Sequence, residues 1–164
     1  MQRALCLIFA LLAAPSARAE GPPPVVVEYG YDNGSLPPPY REEFRAEIRA
    51  DGTAVLTACR GYDPEGCVQR EARVRRSKLR AIRRVAERSG LAQRPAALNP
   101  EPPIGGGLRW GKLVWSKQEV TLPALPAKAD AARVKAVLDA IHAALPKAAL
   151  AEVNAAADRL AEGE

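Results

Sequence analysis

The strongest constraint on the fold is the regular alternation of apolar and polar residues in the stretch 40–74. In its first segment the apolar residues Phe44, Ala46 and Ile48 are separated by charged ones. A period of two indicates a strand with one buried face. An Asp-Gly pair follows at 51–52, and this pair between two alternating runs is a hairpin signal. The sequence therefore predicts a pair of antiparallel strands that turns at the Asp-Gly step.

Two turn geometries fit this hairpin, and the cysteines choose between them. A two-residue turn would bring Cys59 onto the face of Phe44, whereas a three-residue loop with Gly52 at positive φ would turn Cys59 away. Suppose that Cys59 faces Cys67 across the next hairpin. Only the three-residue loop then buries the apolar residues of the strand that begins at Cys67 and leaves the charged residues of that strand in water. We therefore expect Gly52 in a bulge, a Cys59–Cys67 disulfide on the outer face, and one misfit, Arg70, near a sheet edge. The alternative is two free thiols that pack as small core residues.

The first 19 residues have the features of a signal peptide. Arg3 precedes an apolar run at 4–14, and a small-x-small motif at 17–19 precedes Glu20. The apolar run is too short to span a bilayer as a lasting helix, so we expect no transmembrane anchor after cleavage. The sequence predicts cleavage near Ala19-Glu20 and a periplasmic or secreted protein. A buried N-terminal helix is the alternative.

Export would change both the charge and the cysteine count. The whole chain has a formal net charge of +5, and loss of Arg3 and Arg18 would leave +3. Loss of Cys6 would leave two cysteines, which suits a single disulfide in an oxidising compartment. The remaining length is enough for one domain with one core. We expect an α+β domain over 20–146 and a C-terminal helix or tail over 147–164.

The segment between the predicted signal peptide and the alternating stretch contains a strand and a long loop. β-Branched and aromatic residues at 25–31 predict the first strand. Three consecutive prolines stiffen the loop at 32–39. Such a loop is most often a connector, but it is also a candidate contact for a partner protein. The candidate contact residues are Asp32, Asn33, Gly34 and Leu36.

A helix is predicted over 78–89 because its apolar residues recur at helical spacing. Ser77 is the expected N-terminal cap, and Gly90 the expected left-handed stop, with Leu91 folding back on Ala86.

The polar face of this helix is strongly cationic. Between residues 60 and 94 there are ten Arg and one Lys but only four acids, a local charge of +7. Such a patch suits the lipid phosphates of an envelope, a polyanion or an acidic protein surface. The alternative is an ordinary solvated helix face. Nucleic acid is a poor candidate because export is expected and interleaved aromatic residues are missing. The candidate anion contacts are Arg76, Arg80, Arg83 and Arg84.

The region after this helix predicts a loop and a second hairpin. Residues 92–107 are rich in Pro, Ala and Gly and have no period. Strands at 108–115 and 118–122 follow. Trp110 and Trp115 lie five residues apart, so a regular strand would place them on opposite faces, one in the core and the other as an edge cover or exposed contact.

The remaining sequence is alanine-rich and has helical periodicity. The first predicted helix, 128–145, should cover the sheet. Pro146 ends it, and a second helix is expected over 147–161. Its apolar stripe is thinner, which suggests either a loosely packed tail or a partner-binding helix.

Catalytic and metal-binding motifs are not evident. His142 is the only histidine, so no second histidine or free cysteine exists to build a metal site. A serine triad would need a nucleophile on a strained turn, and no G-x-S-x-G motif occurs. Glu42 and Glu43 alternate across a strand and do not converge. We expect a satisfied or solvent-facing histidine, no metal, no cofactor and no enzymatic activity.

The order of these elements is similar to that of a known group of domains. The similarity rests on the segments 25–29, 44–48 with the 51–52 turn, 79–91 and 115–138. Together they resemble a group of small bacterial α+β domains that includes the emfourin-type inhibitors of thermolysin-like metalloproteases and exported domains of unknown role. The resemblance implies the fold and, as an alternative function, protease inhibition. The proline-containing loop replaces the glycine-phenylalanine-rich turn of those inhibitors, so no inhibitory residue is carried over.

We therefore expect an α+β fold with a mainly antiparallel sheet of about five or six strands and two or three helices packed on one face. The expected function is that of an exported, non-enzymatic binding or interaction module. Inhibition of a secreted metalloprotease and binding of anionic envelope components are the alternatives.

Overall fold

The computed structural model describes residues 22–116 and 118–163. The predicted signal peptide, its Cys6 and the expected cleavage site after Ala19 lie outside the described residues. Within these residues the fold is α+β, as predicted: one open antiparallel sheet of six strands and three α-helices. The sheet order is β4-β3-β2-β1-β5-β6. The strands are β1 (Val25–Asp32), β2 (Glu42–Arg49), β3 (Thr53–Arg60), β4 (Cys67–Arg73), β5 (Leu108–Trp115) and β6 (Gln118–Leu122).

The β2–β3 hairpin has the predicted three-residue loop. Ile48 pairs with Ala54 and Phe44 with Ala58, so the apolar residues of both strands share one face. Gly52 has φ +92°, a left-handed conformation that glycine adopts without a steric penalty. The register follows from burial, because a one-residue slip would exchange the apolar and polar faces of β3.

The disulfide prediction is also confirmed. Cys59 pairs with Cys67 across β3 and β4, and their sulfur atoms are bonded. Because Ala58 is fully buried and side chains alternate, the bridge lies on the face away from the helices. Cys59 is only 9% exposed, since it lies in a groove that outward side chains of β2 and the 61–64 segment also line. Arg70, the predicted misfit, is exposed on the edge strand β4.

Helix α1 spans Arg76–Ser89 and begins earlier than predicted. The carbonyl of Arg75 already accepts from the N–H groups of Lys78 and Leu79, so Arg75 is the N-cap. The prediction that Ser77 caps the helix is therefore wrong, because Ser77 lies within the first turn. Gly90 ends the helix with φ +68°, as predicted.

The last two helices are α2 (Lys128–His142) and α3 (Lys147–Glu162). α2 ends three residues before the predicted end. The next residues form a tighter turn, in which Leu145 N–H donates to the His142 carbonyl, and a residue before proline disfavours helical geometry. α3 is not a loosely packed tail: it packs on β3 and β4, and Val153 and Ala157 are fully buried in the common core.

One buried carboxylate fixes the loop before β5 to the helices. Asp130, in the first turn of α2, is 7% exposed and accepts from the Ala97 N–H at 2.9 Å and from Arg133 at 2.6 Å. Arg133 also donates to the carbonyls of Ser89 and Arg94. The hydrogen bond from Arg133, followed by that from Ala97, holds the pKa of Asp130 below its usual value. Asp130 is thus ionised and helps to join α1, α2 and the loop.

The predicted second hairpin is formed by β5 and β6, and its two tryptophans lie on opposite faces as expected. Trp115 packs against the core. The Trp110 ring covers Gly30 on the outer face, where a methyl group on Gly30 would overlap the indole.

The two ends of the sheet carry different features. At the turn end, defined by residues 50–52, the chain enters α1, and the Val74 N–H donates to the Gly52 carbonyl at 2.8 Å. At the loop end, defined by residues 32–41 and 61–66, the connections before β2 and after β3 meet. Different segments of the chain therefore border the helical face of the sheet at its two ends.

Candidate functional site

The arginine face of α1 comprises Arg76, Arg80, Arg83, Arg84 and Arg88. All five are exposed, whereas Ile82 and Ala86 on the opposite side of the helix are buried. Four of the five recur every fourth residue, so their Cα atoms follow one line at intervals of about 6 Å. The structure thus brings the predicted anion contacts together on one surface.

Ion pairs compensate little of the positive charge of the arginine face. Arg83 donates to Glu87 at 2.7 Å, and this is the only ion pair that α1 forms within the described part of the chain. Like charges four residues apart on a helix destabilise it by roughly 0.2–0.5 kcal/mol for each pair. An anionic partner would relieve this repulsion.

An apolar groove of about 320 Å³ borders the arginine face at the turn end of the sheet. Leu79 and Ile82 form its helix wall, and Val26 and Trp115 form its sheet wall. Arg80 and Arg83 also line the groove, so cationic and apolar surfaces are contiguous. This combination suits an amphipathic anion better than a purely polar one.

The proline loop, residues 32–39, is held in one conformation by hydrogen bonds. Asp32 accepts from Arg41 at 2.5 Å and from the Gly34 N–H at 2.7 Å. Asn33 donates to the Tyr40 carbonyl at 2.8 Å and accepts from the Glu42 N–H at 2.8 Å. The predicted contacts Asp32 and Asn33 are therefore used within the loop itself.

The remaining predicted contacts of the proline loop differ in exposure and role. Gly34 has φ +98° and lies against the Gly106 carbonyl, so it serves the turn. Leu36 is 40% exposed, and its carbonyl accepts from the Tyr62 hydroxyl at 2.9 Å. The Leu36 side chain is thus exposed to solvent, and a hydrogen bond holds its backbone in place. The loop lies at the opposite end of the sheet from α1, so the structure does not join the two predicted surfaces.

A larger cavity, which sequence reasoning missed, opens on the helical face at the loop end. Its volume is about 620 Å³. β1, β2 and β5 supply its floor, while α2 and α3 supply opposite walls. The lining residues are Tyr29, Tyr31, Glu42, Glu43, Phe44, Arg60, Arg109, Asp139, His142, Leu150 and Asn154.

Four polar side chains form a connected cluster on the α2 side of this cavity. Arg109 donates to the Tyr29 hydroxyl at 3.2 Å and to Asp139 at 2.9 Å. Nδ1 of His142 lies 3.5 Å from the same hydroxyl. Burial raises the pKa of Tyr29, although the nearby Arg109 acts in the opposite direction. The pKa of Asp139 is lowered, mainly by the hydrogen bond from Lys135. Near neutral pH the phenol is therefore protonated and the carboxylate charged.

The α3 side of the cavity is built around Arg60. Its Nε donates to Asp158 at 2.7 Å, and a terminal nitrogen lies 3.4 Å from the Asn154 amide oxygen. The side chain of Arg60 is 11% exposed, so these contacts fix its position. α3 thus forms one wall of the site, which is a further reason why it is integral to the fold.

The sequence contained one signal for this cavity. Tyr31, Arg60 and Arg109 occupy strand positions that alternate onto the core face, where charged and polar residues are unexpected. Their meeting depends on β5 pairing with β1, a contact between distant segments. His142 is exposed, as predicted, but it also borders the cavity.

No model of a known protein family matches the chain. No curated protein is significantly similar to it either. Within residues 22–116 and 118–163, no helix has both the length and the apolarity needed to cross a membrane. In the same part of the chain, no three His, Cys, Asp or Glu side chains are grouped so that they could hold a metal ion.

Proposed function

We propose that this protein is an exported, non-enzymatic binding module that attaches to anionic lipid of a bacterial envelope through the arginine face. The observation that carries the proposal is the apolar groove beside five exposed arginines. The arginines suit lipid phosphates, and the groove suits part of an acyl chain. A purely polar polyanion would make no use of the groove.

Export is supported by the disulfide, because such bonds persist in oxidising compartments and are rare in reducing ones. The signal-peptide features of residues 1–19 agree with it.

Binding to vesicles tests the proposal. A lysine or arginine near an anionic membrane surface contributes about 1 kcal/mol. Replacing Arg76, Arg80 and Arg84 together by Ser should therefore weaken binding by about 3 kcal/mol, roughly a hundred-fold. Phosphatidylglycerol vesicles should bind the protein and phosphatidylcholine vesicles should not, and affinity should fall steeply with salt.

The matched control replaces Lys128, Lys147 and Arg159 by Ser, which removes the same charge from exposed positions elsewhere. This variant should bind nearly as well as the wild type. Fluorescence of Trp115 reports occupation of the groove once Trp110 is changed to Phe. Equal losses in both triple variants, salt-insensitive binding, or preference for heparin without a change in Trp115 emission would refute the lipid proposal.

The hydrogen-bonded conformation of the proline loop supports a second candidate function, inhibition of a secreted metalloprotease. Loops held in their bound conformation lose less entropy on binding, and Leu36 is a large, exposed apolar residue of this loop. Thermolysin titrated with the protein should then lose activity stoichiometrically. Deleting residues 35–36 should abolish inhibition, whereas deleting 102–103 from the loop before β5, which also contains prolines, should not. An unchanged protease at molar excess of the protein would eliminate this candidate.

A further inference from the structure

The floor of the 620 Å³ cavity at the loop end is apolar and aromatic. Tyr29 and Phe44 are almost fully buried, with ring centroids 6.2 Å apart, and Tyr31 and Leu150 are half-buried beside them. A cavity of this volume lies within the range that accommodates small organic ligands. The floor therefore suits a compact apolar body such as an aromatic ring.

Hydrogen-bond donors at the walls exceed the acceptors available to them. Arginine has five N–H donors, and Arg109 uses its Nε on Tyr29 and one terminal nitrogen on Asp139. Its other terminal nitrogen has no acceptor among the described residues. Arg60 donates from Nε to Asp158 and from one terminal nitrogen to the Cys59 carbonyl at 3.1 Å, and its other terminal nitrogen makes only a long 3.4 Å contact with Asn154. Two of its five N–H donors therefore have no acceptor among the described residues. The unused donors on both walls suit a ligand that carries an acceptor, and a carboxylate matches a guanidinium best.

The acids that line the cavity limit the charge of that ligand. Asp139 is held by Lys135 at 2.6 Å and by Arg109 at 2.9 Å. Glu43 accepts from Arg41 and Arg45. Glu42 has no cation within 4 Å among the described residues and would repel a second negative charge. The charges of the cavity therefore favour one carboxylate over a dianion.

We propose that this cavity binds a small monocarboxylate with an aromatic body, the ring lying on Tyr29 and Phe44 and the carboxylate facing Arg109. The site is separate from the arginine face and goes beyond the lipid-binding function. It adds a second, small-molecule ligand to the same module.

Three probes of similar size test the chemistry: 4-phenylbutyrate, the uncharged 4-phenylbutanol and the dianion phenyl phosphate. In amide NMR titrations of the oxidised protein, 4-phenylbutyrate should bind at least tenfold more tightly than either of the others. Its shift changes should centre on Tyr29, Phe44 and His142. Equal affinities for the acid and the alcohol, or shift changes confined to α1, would overturn the proposal.

Two substitutions separate binding from folding. Leu150→Trp should fill the cavity and reduce 4-phenylbutyrate binding at least tenfold, while Leu160→Trp, at an exposed position of the same helix, should leave binding unchanged. Arg109→Gln should weaken the acid at least tenfold and the alcohol less than twofold. Should Arg109→Gln unfold, the Leu150 and Leu160 pair still decides, since undiminished binding in Leu150→Trp would refute the site.

Discussion

Replacing Gly52 by Ala tests the register of the sheet at the point where the chain passes from β2 to β3. Gly52 has φ +92°, and a methyl group there would overlap the carbonyl oxygen of Val74. Val74 is 2% exposed and donates its N–H to the Gly52 carbonyl at 2.8 Å. The new methyl group would therefore displace a buried residue that joins β4 to α1.

The expected loss of stability follows from two contributions. A non-glycine residue in the left-handed region costs about 1–2 kcal/mol. Displacing Val74 weakens its hydrogen bond, worth about 1 kcal/mol, and disturbs its packing by a similar amount. Gly52→Ala should then lose about 3–4 kcal/mol. Gly90→Ala is the matched control, because Gly90 has φ +68° but, apart from its own neighbours in the chain, no described residue has an atom within 4 Å of an added methyl group.

Urea unfolding of both oxidised variants, followed by circular dichroism, gives the comparison. Gly90→Ala should lose only the conformational cost, about 1–2 kcal/mol. The difference between the two variants then measures the contact with Val74. Equal losses would refute the reasoning, because they would show that the close approach of Gly52 to Val74 does not constrain the hairpin.

Three further predictions concern stability. Because the pKa of Asp130 is lowered in the folded state, its stabilisation is present above the ordinary carboxyl pKa of about 3.9 and is lost as the pH falls below it. Asp130→Asn should therefore be less stable than the wild type in urea at pH 7, and the gap should narrow at pH 3. Val153→Ala should cost about 2 kcal/mol because Val153 is fully buried, whereas Leu160→Ala should cost under about 0.5 kcal/mol; similar losses would contradict the packing of α3. Reducing the Cys59–Cys67 bridge should lower stability by about 2.5 kcal/mol, and unchanged urea midpoints with and without reductant would contradict this.

Local patterns predicted most of the elements. Alternation around Phe44 predicted β2, and the second hairpin was predicted with its observed boundaries. Gly90 predicted the end of α1 because a left-handed stop depends on the residue itself. The start of α1 was predicted wrongly because the chain leaving β4 already places the Arg75 carbonyl in the capping position.

The arginine face and the groove beside it also differ in whether the sequence could predict them. The arginine face follows from spacing along one helix, so the sequence predicted which residues share it. The groove beside it could not be predicted, because Val26 and Trp115 reach Leu79 only through tertiary packing.

By itself the sequence determined the strand register of the central hairpins, the disulfide and the cationic helix face, because each depends on residues close together in the chain. Tertiary structure alone decided the large cavity. Tyr29 and His142 are separated by 113 positions, and they meet only because β1 pairs with β5 and α2 crosses above them. The physical reason is that side-chain periodicity fixes which face a residue occupies, whereas the pairing of distant strands and helices fixes which residues share a site.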